Sequence, residues 1–163
     1  MTAEKNKFEQ ALKDADKISL QLKLQVAARS YPNLITDIFQ GCPIAIVIFS
    51  FDGNFILSNQ VFERIIGYEP EEIEGKLIIS FVHPEDVQVT LGAIGYALRN
   101  EEPRYFINRY KKKGGGWQWL LWYPQPPAND DVYGIAYAAP IKSVPANLQA
   151  GFIEREDLFR LEC

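Results

Sequence analysis

Residues 104–123, RYFINRYKKKGGGWQWLLWY, constrain this chain more than any other stretch. Two strand-like runs flank Gly114, Gly115 and Gly116, an arrangement that reads as an antiparallel hairpin. Along the second run Trp117, Trp119, Leu121 and Tyr123 fall on one face, and Leu120 and Trp122 on the other. A strand that is apolar on both faces is normally buried on both. One face must line a domain interior. The other needs a cover, because a bare apolar patch of that size is avoided by soluble monomers. The expected arrangement turns Trp119 and Leu121 inward and Leu120 and Trp122 outward. The outward cover comes from the N-terminal helix or from a second copy of the chain.

The remaining segments supply the layers. Residues 4–30 form one helical run, with Phe8, Leu12, Ala15, Leu22 and Val26 near heptad spacing and Ser19 as a polar interruption. Such a stripe packs either on its own domain or across a dimer. Pro32 opens a second short helix, PNLITDIF, which Gly41 ends. IAIVIFSF and NFILSN around Asp52-Gly53 read as a hairpin. Asn59 and Gly67 are the natural N-cap and C-cap of QVFERIIG. Pro70, Glu71 and Glu72 suit the first turn of the next short helix. His83-Pro84-Glu85-Asp86 starts a longer helix to about Asn100, with Val87, Leu91, Ile94 and Leu98 on one face. VYGIAYAAPI makes a last strand. In the tail, SVPANLQAGFIEREDLFRLEC, residues Phe152, Leu158 and Phe159 suggest a weakly amphipathic helix. Clustered helices between clustered strands indicate an α+β domain with an antiparallel sheet. The expected division is an N-terminal helix or linker at 1–33, the domain at 34–141, and a tail or linker to an effector at 142–163.

Composition narrows the function. With 47% hydrophobic and 23% charged residues among 163, the chain has a globular balance. A net charge of -4 offers nothing to nucleic acid or to an anionic membrane surface. The longest apolar run, Ile44 to Phe49, is too short for a membrane span, and the charged N-terminus lacks a signal-peptide core. Cys42 and Cys163 form no metal spacing and read as reduced thiols, so the expected location is cytoplasmic. No nucleophile–base pair, metal set or phosphate loop marks an enzyme. Glu71, Glu72 and Glu74 lack the calcium-loop pattern. Lys111, Lys112 and Lys113 stand beside glycines that join two strands instead of leading into a helix N-terminus.

Four segments in order resemble the PAS family: DGNFILSNQVFERIIGYEPEEIEGK (52–76), FVHPEDV (81–87), NRYKKKGGGWQWLLW (108–122) and VYGIAY (132–137). The resemblance covers about 34–141 and implies a five-stranded antiparallel sheet, order 2-1-5-4-3, with short helices on one face. It implies a signal-transduction input module that dimerises and holds a small molecule to regulate an attached or separate effector, such as a histidine kinase. The alternative is a ligand-free dimerisation module. Two positions depart from the family pattern. A triple glycine replaces the usual Asp-Gly turn. Ala138-Ala139-Pro140 stands where Asp-Ile-Thr often pins an outgoing linker.

The same resemblance places a pocket between helices and sheet, with Phe62, Ile66, Ile78, Phe81, Ile94, Trp119 and Leu121 as candidate lining. It places a homodimer surface at Phe8, Leu12, Leu22, Leu120 and Trp122. Some relatives ligate haem through a histidine near His83, but a lone imidazole before Pro84 reads as a helix start. The reactive-cysteine motif of flavin photosensors is absent from the central helices. No cofactor and no metal are therefore expected.

Overall fold

The computed structural model describes residues 10, 18–19, 22–97, 99, 104–125, 133–144 and 149–161. It divides into two units, 1–41 and 42–163. The first is helical at 22–30 and again at α1 (Leu34–Gly41). Its Ile18, Leu22 and Val26, spaced four apart, are all more than half exposed. Phe8 and Leu12 lie outside the described residues.

The second unit is an antiparallel sheet with helices inserted between its second and third strands. Its order is β1 (Ala45–Ser50), β2 (Phe55–Ser58), α2 (Gln60–Ile66), α3 (Pro70–Ile73), α4 (Val87–Ala97), β3 (Tyr105–Lys111), β4 (Trp117–Gln125), β5 (Tyr133–Ile141) and β6 (Gly151–Ile153). The strands lie in the order β2-β1-β5-β4-β3-β6. The expected 2-1-5-4-3 sheet is present, extended by a sixth strand.

Local chemistry accounts for the joints. Gly53, at φ 74°, turns the β1–β2 hairpin, a conformation that glycine adopts without steric cost. Asn59 is fully buried and ties β1 to α2. Its Oδ1 accepts from the Phe62 N–H at 3.3 Å and the Ile46 N–H at 3.0 Å, and its Nδ2 donates to the Ile44 carbonyl at 2.8 Å. A short polar side chain thus caps a helix and closes a strand end together. Gly67 ends α2 in the left-handed region, donating to the Glu63 carbonyl at 2.7 Å. At α3, Pro70 takes the first turn and the Glu72 carboxylate accepts the Glu69 N–H at 2.8 Å. Lys113 in the β3–β4 turn pairs with Glu72 at 2.6 Å, so one member of each charged cluster noted in the sequence serves a surface joint.

Three expectations are corrected. The faces of β4 are reversed: Leu120 and Trp122 are buried in the main core, whereas Trp119 and Leu121 pack on the other side of the sheet. Cross-strand pairing decides this. Trp122 lies opposite Phe106 and Ala138, and Leu120 opposite Asn108 and Pro140. Alternation alone separates two apolar sets without saying which one meets the helices.

The core-facing side of α4 is rotated in part: Val87 and Ile94 pack against the core as expected, and Leu98 lies outside the described residues. Thr90, Ala93 and Ala97 are buried, Ile94 is half-buried, and Leu91 is exposed. Small residues face the sheet there because the sheet presents the large rings of Phe106, Tyr110 and Trp122.

The tail, finally, is a strand followed by a single turn of 3-10 helix at Asp157–Arg160, not an amphipathic helix. Tyr105 pairs with Ile153 and Phe106 with Phe152, which covers part of the β3 edge. Ile107, Ile141 and Ile153 then form a second small core with Trp119, Leu121, Val144 and Leu161 around it. Part of the outer sheet face is thus covered by the chain's own C-terminal segment.

Candidate functional site

A cavity lies between α4 and the inner face of the sheet, and its origin is a run of small side chains. Across the sheet, Phe49 pairs with Gly134, Val47 with Ala136 and Ala45 with Ala138, so β5 presents only Gly and Ala along this column. At Gly134 any Cβ would sit 2.5 Å from the Phe49 ring. Opposite them α4 offers Ala93 and Ala97. Ala136 on the sheet and Ala93 and Ala97 on α4 leave a cavity of about 50 Å³, lined also by Val47, Phe49, Ile78, Thr90, Ile94, Phe106, Asn108, Tyr110, Trp122 and Pro124. That is room for several waters or one small organic molecule.

The cavity's polar groups form one chain of hydrogen bonds. The Trp122 indole N–H donates to Asn108 Oδ1 at 2.8 Å, Asn108 Nδ2 donates to Thr90 Oγ1 at 2.9 Å, and the Thr90 hydroxyl donates to the Asp86 carbonyl at 2.7 Å. An indole nitrogen can only donate, which determines the orientation of the Asn108 amide and hence the direction of the chain. Asn108 is 1% exposed. Burial raises the Tyr110 phenol above its ordinary pKa, and a hydrogen bond with Asn108 works the other way. Among the described residues no buried side-chain nitrogen or oxygen lacks a partner.

Asp86 links this chain to Arg109. Its carboxylate accepts from the Arg109 backbone N–H at 2.8 Å and from the guanidinium at 2.9 and 2.6 Å. The Arg109 guanidinium also meets Glu85 at 2.9 Å and stacks 5.1 Å over the Trp119 ring. These carboxylates, Asp86 foremost, hold the guanidinium even more firmly protonated than usual. Arg109 and Asn108 are neighbours on β3 whose side chains leave opposite faces of the strand. Asp86 meets Arg109 through its carboxylate and reaches Asn108 only by way of Thr90, whose hydroxyl donates to the Asp86 carbonyl.

Of the residues expected to line a pocket, Ile78 and Ile94 do. Phe62, Ile66 and Phe81 are buried in the adjoining core, and Trp119 and Leu121 lie on the far side of the sheet. On the expected outer surface, Leu22 is exposed, whereas Leu120 is buried and Trp122 lines the cavity. His83 accepts the Glu85 N–H through Nδ1 at 3.3 Å and places its ring 4.4 Å from Trp117, away from the cavity lining. Sequence reasoning missed Thr90, Asn108 and Tyr110. Asn108 carried a signal: it is a polar residue inside an otherwise aromatic and apolar strand. Among the described residues no three His, Cys, Asp or Glu side chains are grouped to hold a metal ion, and no helix is long and apolar enough to cross a membrane.

Comparison with known proteins agrees with this architecture. Residues 55–134 match the family model described as the PAS fold. No curated protein matches the sequence. Among solved structures, the PAS domain of an HTR-like protein from Haloarcula marismortui is 23% identical with a TM-score of 0.56, covering 69% of this chain and 99% of its own. A PAS domain from Colwellia psychrerythraea is 20% identical with a TM-score of 0.60, covering 67% of this chain and 95% of its own. The PAS domain of the Cronobacter turicensis RpfR quorum-sensing receptor, solved in complex with BDSF, is 19% identical with a TM-score of 0.53, covering 62% of this chain and 96% of its own. PAS homologues are sensory domains of signalling proteins, as that receptor illustrates. Sheet order, the helical layer and the family match over 55–134 together show that this chain contains a PAS-fold domain.

Proposed function

We propose that this chain is a cytoplasmic, non-catalytic input module that dimerises and holds a small molecule to regulate an effector, attached or separate, such as the histidine kinase of a two-component system. The cavity between α4 and β5 carries this reading. Ala136 of β5 and Ala93 and Ala97 of α4 give its walls small side chains, and a buried polar chain crosses one wall. Tight sites of this kind combine an apolar lining with a few placed polar groups. The RpfR domain in complex with BDSF is an example of ligand binding on the same fold. The lining includes neither histidine nor cysteine, so it offers no imidazole to ligate haem and no thiol for a flavin adduct. Dimerisation is supported by the exposed Ile18, Leu22 and Val26 stripe.

A second reading, the ligand-free interaction module, is favoured by one observation: the polar chain is already bonded within itself, so an empty cavity orphans none of its members. Native mass spectrometry of the purified full chain separates the two. The sensing reading expects a stoichiometric small-molecule adduct that denaturation releases. Dimers that stay ligand-free, including after incubation with cell extract, sink it in favour of the interaction module.

A further inference from the structure

Every described residue that lines the cavity is uncharged. Its polar groups are Thr90, Asn108, Tyr110 and the Trp122 indole, and the hydrogen bonds at 2.8 and 2.9 Å gather Trp122, Asn108 and Thr90 on one side. Ala93, Ala97, Ala136, Phe106 and Ile94 make much of the remaining wall. An ion moved into such a site gives up its hydration without meeting a counter-charge. A wholly apolar guest fits most of the lining but leaves the amide and hydroxyls nothing to gain. Asn108 is bonded to Trp122, Thr90 and Tyr110, and Thr90 Oγ1, which accepts once and donates once, keeps a second lone pair.

We propose that the cavity takes a small uncharged organic molecule, apolar over most of its surface, with a single hydrogen-bonding group that meets Asn108, Thr90 and Tyr110. The Asp86–Arg109 pair is excluded from contact with the guest, because its guanidinium lies over Trp119 on the opposite face of the sheet. The nearest charges therefore do not rescue an ionic ligand. This inference rests on the sensing reading above and adds the chemical class of the ligand.

Two isosteric pairs of probes test it on the full chain at neutral pH: phenol against toluene, and benzamide against benzoate. The readout is the indole N–H resonance of Trp122, assigned by its loss in Trp122→Phe, together with fitted dissociation constants. Phenol and benzamide are expected to shift that resonance, with toluene weaker than phenol and benzoate at least about tenfold weaker than benzamide, as a cost of about 1.4 kcal/mol or more implies. Filling the cavity with Ala93→Leu is expected to abolish the shifts; Ala97→Leu serves if the first variant loses its dispersed amide spectrum. Benzoate binding as tightly as benzamide, or toluene as tightly as phenol, overturns the assignment of ligand class and leaves the sensing reading standing. Unchanged phenol binding in a folded cavity-filled variant overturns the proposed site. No shift with any of the four probes overturns the ligand class, and the native mass spectrum described above then decides the sensing reading separately.

Discussion

At the scale of single residues, the smallest side chains carry as much meaning as the largest. Gly134 is required by a neighbour and not by its own backbone angle, since its missing Cβ makes room for the Phe49 ring. Gly134→Ala is expected to lower stability by about 1–3 kcal/mol through overpacking. Urea unfolding checks it, and the midpoint should fall while the slope stays the same. Glu63 is a different case. Burial raises its carboxyl pKa above 4.5, a hydrogen bond from the Ser58 hydroxyl works the other way, and Glu69, Glu74 and Glu71 add repulsion. The folded protein therefore holds the Glu63 proton more tightly than the unfolded chain, and stability contributed by this group falls as pH rises through that window. Glu63→Gln keeps an acceptor for Ser58 and removes the charge. Its melting temperature relative to wild type should climb between about pH 4 and pH 7 and stay level at lower pH; a flat difference across the range contradicts the assignment.

At the scale of elements, β6 is the least foreseeable part. It is three residues long, comes after a gap in the pattern of strands, and sits at the sheet edge. Ile153 is nevertheless buried, and with Ile107 and Ile141 it makes the second core under Trp119 and Leu121. Ile153→Ala is expected to cost about 2–5 kcal/mol, more than a peripheral strand would suggest. Hydrogen exchange offers the finer check: protection should fall at Tyr105 to Ile107 while β1 and β5 keep theirs. Uniform loss across the sheet would mean that the strap is integral to the main core. Much of the element pattern was legible without coordinates. The Asp-Gly and triple-glycine turns, the Asn59 cap and the Gly67 stop are local chemistry, readable within a few residues. The tail escaped because Phe152, Leu158 and Phe159 suit a helical stripe, and pairing with β3 overrode that weak local preference.

For the whole molecule, the N-terminal stripe is the feature whose consequence is most easily measured. Ile18, Leu22 and Val26 are more than half exposed, and the dimer proposed above would bury them. Leu22→Glu combined with Val26→Glu is expected to leave the 42–163 domain folded and shift the solution mass from dimer to monomer. Light scattering coupled to size exclusion reads this directly. A wild-type chain that is monomeric at high concentration, or a double variant that still dimerises, would reject the stripe as the interface.

From its sequence alone, this chain was bound to a twisted antiparallel sheet with short helices laid on it. Turn residues, caps and the two-sided apolar β4 permit little else. Little of the candidate site was legible: of the residues that line it only Ile78 and Ile94 were expected there, as apolar helix-side residues. Which face of β4 turned inward depended on register with β3 and β5, a long-range choice between two equally apolar alternatives. The cavity depended on it too, because its lining brings Ala136 of β5 together with Ala93 and Ala97 of α4. Alternation along one strand cannot show that juxtaposition; it exists only once distant segments are packed against each other.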